Sequence, residues 1–197
     1  MDILSYKLGK NASGGGGGGD TPEYFVMTPT NSQKTMSKMI KAIPKINLIN
    51  ITDFGYAFSN YASLEEIPEL NTSNVTNVQN TFYNCSSLET IPLLDFGKVG
   101  NLTSTFNGCS KLTNLGGFKN LGKAYLTSKS ANIYEYMLDL SVSTLITHDS
   151  LMNVINNLYD IATKGCNTQT LKLGATNKAK LSAEEIAIAT TKGWNVQ

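Results

Sequence analysis

Nucleophilic chemistry in this chain would have to be built from its single histidine, His148, and three cysteines, among them Cys85 and Cys109. A thiol nucleophile needs a base within hydrogen-bond reach, and His148 is the only imidazole available. Cys85 and Cys109 share a position with Tyr61 at 24-residue intervals. Such a position points inward, where a free cysteine acts as a small hydrophobe. His148 precedes Asp149 and Ser150, the expected start of a helix, and reads as a turn residue. No catalytic residue is assigned, and an enzyme is not expected. Equivalent cysteines in stacked units would lie about 5 Å apart, close enough for a bridge, but parallel side chains suit one badly. Reduced, unbridged thiols are expected.

Metal and phosphate chemistry fare no better. One histidine, separated cysteines and scattered acids (Glu65, Glu66, Glu69, Asp95) match no ligand spacing for zinc or calcium. The six glycines Gly14–Gly19 lack the following Lys-Ser/Thr and the preceding strand of a phosphate loop. No metal and no cofactor is expected. The Asn-x-Ser/Thr triplets at Asn50, Asn74, Asn84 and Asn101 read as turn and ladder residues. One polar group could still recognise a ligand. Asn60, Asn84 and Asn107 fall near one part of the repeating unit, with Tyr56 and Tyr83 close by. Amides and phenols on an extended surface suit a glycan or a partner protein, although repeats also need polar turns for their own sake.

Composition narrows the field. Apolar residues make up 41% of the 197 positions and charged residues only 16%, with a net charge of +1. The chain is apolar enough to fold, and it carries no electrostatic footprint for nucleic acid or an anionic membrane. No apolar run approaches the ~20 residues of a spanning helix. Met1–Lys10 lacks the charged-then-apolar layout of a secretory signal.

The elements that must position these residues are repeats. Phe58, Phe82 and Phe106 are 24 residues apart, and in that register Leu64, Leu88 and Leu112 align, as do Ile67, Ile91 and Leu115. Leu70, Leu94 and Phe118 form a further column, and Val75 aligns with Val99. A weaker copy at 34–57 supplies Ile40, Ile43, Ile46, Ile51 and Phe54. Ile-Pro pairs recur at 43–44, 67–68 and 91–92. Periods in the twenties indicate stacked supersecondary units. Each unit holds a strand-like piece (SLEEIP, SLETIP, KLTNLG) and a return segment. Neither buries its apolar face alone, and proline at the strand's end removes a donor where the ladder stops. Beyond 129 the period fades. A helix is predicted at 148–165, with Leu151, Val154, Ile155, Leu158 and Ile161 on one face and Gly165 ending it. A strand is predicted at 168–174, and a helix at 181–194 opened by a capping box of Ser182 and Glu185. The expected fold is an α/β repeat solenoid of about four 24-residue coils with a helix–strand–helix C-terminal cap.

The boundaries that follow are a peg at 1–10, a Gly-rich linker at 11–20, an N-terminal cap at 21–33, repeats at 34–129 and a C-terminal repeat or cap at 130–197. The peg has an apolar face of Ile3, Leu4, Tyr6 and Leu8 and is too short to be stable alone. Ten linker residues reach about 17 Å on average and at most about 35 Å.

The unit F-x-x-C-S-x-L-x-x-I-P, carried by Phe82, Cys85, Ser86, Leu88, Ile91 and Pro92 with Val75 and Val78 from the preceding return segment, resembles the BspA-like class of bacterial leucine-rich repeats over about 34–126. The resemblance implies an adhesive or scaffolding protein without catalysis, on a bacterial surface or in a phage particle. The peg and polyglycine resemble the start of phage proteins that attach a display domain to a virion. The expectation is therefore a virion-associated structural protein in several copies. Residues 1–10 would dock on a capsid or tail protein, and the repeats would decorate the particle or contact a host glycan or protein. The alternative is a bacterial cell-surface adhesin. Gly97 and Gly116–Gly117 depart from the repeat consensus, which predicts a bend or looser loop in the third coil.

Overall fold

The computed structural model describes residues 41–43, 48, 50–126 and 137–197. The peg, the linker and the N-terminal cap lie outside them, as do Ile40 and Ile46.

The 24-residue spacing appears as parallel pairing of the chain with itself. One line of bridges runs from Ala42 to Glu66 to Thr90. It continues as β1 (Thr90–Ile91) beside β3 (Asn114–Leu115). A second line joins β2 (Leu94–Asp95) to β4 (Phe118–Lys119). A third runs from Asp53 to Asn77 to Asn101. The strands are only two residues long. Proline explains the break between β1 and β2, since Pro92 has no N–H to donate. The ladder ends at Ile91 and resumes at Leu94.

What the pairing encloses is apolar. Leu64, Leu88 and Leu112 are each 0% exposed, and Ile67 and Ile91 are 5% and 1% exposed. Ile43, Ile51 and Phe54 of the weak copy are buried too. Phe58, Phe82 and Phe106 stack with centroids 5.7 Å apart at each step and planes within 13° and 6° of parallel. Two buried threonines tie units together at the main chain. Thr81 shares its hydroxyl proton between the carbonyls of Phe54 and Val78, both at 2.8 Å. Thr105 repeats the arrangement with Val78 and Leu102, at 3.0 and 2.8 Å. Each of these carbonyls also accepts the N–H three residues on, so the pairing satisfies the buried threonine hydroxyls and gives the carbonyls a second donor.

The glycines of the third unit do not loosen it. A Cβ at Gly116 would stand 2.8 Å from the carbonyl carbon of Pro92. Glycine there lets the third unit close on the second, and the Gly116 N–H reaches the Ile91 carbonyl at 2.9 Å. The expected looser loop is replaced by a close approach that only glycine permits.

The C-terminal part has more elements than helix, strand, helix. A parallel sheet is made of β5 (Leu138–Asp139), β6 (Gln169–Lys172) and β7 (Trp194–Val196), in that order. Around it lie α1 (His148–Asn157), α2 (Gly174–Lys178) and α3 (Ala183–Thr191). The first helix stops eight residues short of Gly165. Leu158 turns extended (φ −60°, ψ 134°) and bridges to Leu121. Tertiary pairing thus overrides a helical pattern that continues through Ile161. Gly165, at φ 67°, ends a short 3₁₀ turn at Ala162–Lys164 instead. The capping box of α3 forms as expected, with Ser182 and Glu185 each accepting the other's backbone N–H. Trp194 does not end that helix but opens β7, and α2 had no counterpart in the sequence reading.

The C-terminal part meets the third unit through backbone bonds, Thr147 N–H to the Thr113 carbonyl and Tyr159 N–H to that of Leu121 at 3.0 and 2.9 Å, and at β3 through side chains. Ser150 Oγ accepts the Leu115 N–H at 2.9 Å, and Asn153 donates to the Leu115 carbonyl at 2.9 Å. Ser143 donates to the Cys109 carbonyl at 2.7 Å. Helix α1 thereby covers the edge of β3, an exposed pairing surface if left open.

Candidate binding surface

The five residues singled out as a candidate ligand surface lie on consecutive turns of the return segments. Phe54–Ala57, Val78–Thr81 and Leu102–Thr105 each close with an N–H to carbonyl bond three residues back. Phe58–Tyr61, Phe82–Cys85 and Phe106–Cys109 do the same. The third residue of every turn is left-handed. Tyr56, Asn80 and Ser104 have φ of 60°, 52° and 54°, and Asn60, Asn84 and Gly108 have 66°, 56° and 84°. A positive φ at that place is what a type II turn requires, and asparagine and glycine tolerate it best. An aspartate or asparagine starts each turn series. The carboxylate or amide oxygens of Asp53, Asn77 and Asn101 accept the N–H two residues on, at 2.8, 3.0 and 3.1 Å. Backbone bonds then fix the strips side by side. Asn60 N–H meets the Tyr83 carbonyl, and Asn84 N–H meets that of Asn107, both at 2.7 Å.

The structure thus brings Tyr56, Asn60, Tyr83, Asn84 and Asn107 onto one strip, with one change of column. Asn107 stands in register with Tyr83, and the position equivalent to Asn60 and Asn84 is Gly108. Asn84 Nδ2 donates to Asn60 Oδ1 at 3.2 Å, and Asn60 Nδ2 donates to Ser59 Oγ at 3.1 Å. The amide row ends at Gly108, where any Cβ would collide with Asn84 Oδ1. Tyr56 is 51% exposed, the most exposed aromatic among the described residues. Segments 56–60, 80–84 and 104–108 contain no charged residue. The strip offers phenol rings, amides and hydroxyls, which can stack on and hydrogen-bond to a neutral partner.

Sequence reading missed the strain at Tyr56. A bulky side chain at positive φ is uncommon and marks a position worth functional scrutiny. The signal was present, because the residues aligned with Tyr56 are Asn80 and Ser104, turn-forming types at one register position.

The thiols and the imidazole do not meet. Cys85 and Cys109 are free, 0% exposed, and donate to the carbonyls of Phe58 and Phe82 at 3.1 Å. Burial raises both thiol pKa values, that of Cys109 to about 12 and that of Cys85 further. Both are therefore protonated at neutral pH, the unreactive form. His148 opens α1, after the N-cap Thr147, and is not a turn residue. Its Nε2 lies 2.8 Å from Glu185 Oε1, and its Nδ1 lies 3.4 Å from Asp149. Among the described residues, no group of three or more His, Cys, Asp or Glu side chains could hold a metal ion. No described helix is long and apolar enough to cross a membrane. The anchor residues Ile3, Leu4, Tyr6 and Leu8 lie outside the described residues.

A stack of parallel-paired 24-residue units carrying a neutral polar strip is the class of protein these residues define. The family described as "Mycoplasma protein of unknown function, DUF285" matches residues 27–137, and the chain belongs to that family. No curated protein and no solved structure matches the chain.

Proposed function

We propose that this protein is a non-enzymatic binding module, a BspA-like leucine-rich-repeat solenoid whose return-segment strip contacts a neutral glycan or protein surface. The observation that carries the reading is the exposed, left-handed Tyr56 beside the amide row of Asn60 and Asn84. A turn that only had to close would favour asparagine or glycine there. Parallel pairing at a 24-residue step and buried columns of leucine and phenylalanine support the solenoid reading.

The carrier we infer is a phage particle, with residues 1–10 docked on a capsid or tail protein and the glycines giving reach. A second reading, a bacterial cell-surface adhesin, is favoured by one finding: the family is described from Mycoplasma. The test compares wild-type protein with Tyr56→Ala/Tyr83→Ala on a glycan array and on intact host cells. Binding lost at unchanged melting temperature is expected. Binding equal to wild type would sink the strip as the contact surface. Fractionating virions and host envelopes with an antibody to the chain separates the two carriers.

A further inference from the structure

We propose that the Asn107–Gly108 peptide is a site of spontaneous deamidation, at which the Asn107 amide is replaced by an aspartyl or isoaspartyl group without an enzyme. Asn107–Gly108 is the only Asn-Gly step in the sequence. With no Cβ, Gly108 leaves its nitrogen unshielded for attack on the neighbouring side chain. Asn107 is exposed, and neither its side-chain amide nor the Gly108 N–H has a hydrogen-bond partner among the described residues. Neither reacting group is held by a hydrogen bond, and the close packing of Gly108 falls where its Cβ would stand, against Asn84.

The equivalent turns one and two units earlier differ on each count. Asn84 is followed by Cys85, and its Nδ2 is held by Asn60 Oδ1 at 3.2 Å. Asn60 is followed by Tyr61, and its own Nδ2 is held by Ser59 at 3.1 Å. The same fold thus presents one free asparagine next to two pinned ones.

The chemistry needs only water. The Gly108 nitrogen forms a bond to Asn107 Cγ and loses its proton, the Cγ–NH2 bond breaks, and ammonia leaves with that proton. Water then opens either C–N bond of the resulting succinimide. One opening gives an aspartyl residue. The other routes the main chain through the former side chain and gives an isoaspartyl linkage. Either product places a negative charge on a strip that has none. The isoaspartyl product also moves the carbonyl that accepts the Asn84 N–H at 2.7 Å, which loosens the third turn from the second.

The experiment ages the full-length folded chain at mildly alkaline pH and maps its proteolytic peptides by mass spectrometry over time. The expected result is the mass gain of an NH2-to-OH exchange in the peptide spanning 107–108, ahead of any gain at Asn60 or Asn84. Two chromatographic forms of that peptide are expected, and a succinimide is trapped at mildly acidic pH. Asn107→Gln, a change at an exposed side chain, abolishes the gain and keeps the melting temperature of fresh protein. A gain spread evenly over the three asparagines would overturn the proposal. So would a gain that appears only after unfolding in urea, since the folded turn would then be protective.

Discussion

Leu88 stands between Leu64 and Leu112 with no exposed surface, so its removal leaves a hole lined by its own copies. Leu88→Ala is expected to destabilise by about 2–5 kcal/mol. Urea denaturation checks it, and a loss under 1 kcal/mol would mean the column can collapse onto the gap. Left-handed positions give the opposite sign. Ser104 holds φ 54° without the glycine or asparagine such a turn prefers. Ser104→Gly relieves a strain of roughly 1–2 kcal/mol but adds chain entropy in the unfolded state. A net gain of up to about 1 kcal/mol is expected from thermal unfolding, and a loss would show that the Ser104 side chain is needed in place. The same exchange at Tyr56 should stabilise and, if the strip binds as proposed, weaken that binding, the usual sign of strain kept for contact.

Among the elements, helices α1 and α3 are joined by the single histidine. The Glu185 hydrogen bond, with Asp149 second, raises His148 above its ordinary value of 6.5. Glu185 is held below its ordinary 4.5, chiefly by the Ser182 backbone N–H and further by His148. A raised histidine contributes stability that is complete below 6.5 and is lost as pH rises through the folded value. A lowered carboxylate contributes stability above 4.5 and loses it as pH falls through its folded value. The pair should therefore help most between these two limits. Comparing the melting temperature of wild type with His148→Gln across pH should show a small difference that peaks in this window and fades on the alkaline side. A flat difference would mean that the contact is purely steric. The effect is small because the pair faces solvent.

At the scale of the molecule, the open question is attachment. Three apolar side chains of the peg could contribute roughly 5–8 kcal/mol on burial, at ~1.5–3 kcal/mol each. Ordering and association costs consume much of that, so one peg would hold weakly and several copies would hold firmly. If residues 1–10 anchor the chain as proposed, deleting them leaves the melting temperature of the repeats unchanged and abolishes incorporation into the proposed particle or oligomer. Unchanged incorporation would end the anchor idea, and a collapsed melting temperature would place the segment in the core. The covering of β3 by α1 also bears on this scale. Ser150 and Asn153 satisfy Leu115 where a further strand would otherwise pair, so growth of the stack stops at that edge.

The sequence by itself determined the period, the inward columns and the capping box of α3, because each depends on residue types at fixed spacings. The Phe58–Phe82–Phe106 stack and the burial of Cys85 and Cys109 follow from a register that can be counted. Tertiary structure alone decided where α1 ends, since Leu158 leaves a continuing helical pattern to bridge to Leu121. It also decided that Trp194 opens a strand, and that Gly116 tightens a coil it was expected to loosen. The handedness of Tyr56 belongs to the same group. Local preference would avoid a left-handed tyrosine, and it is held there by backbone bonds to the neighbouring unit, such as that from its own N–H to the Gln79 carbonyl at 2.9 Å. Spacing reports which residues share a face, but competition between a local preference and a distant partner is settled only when both are in place.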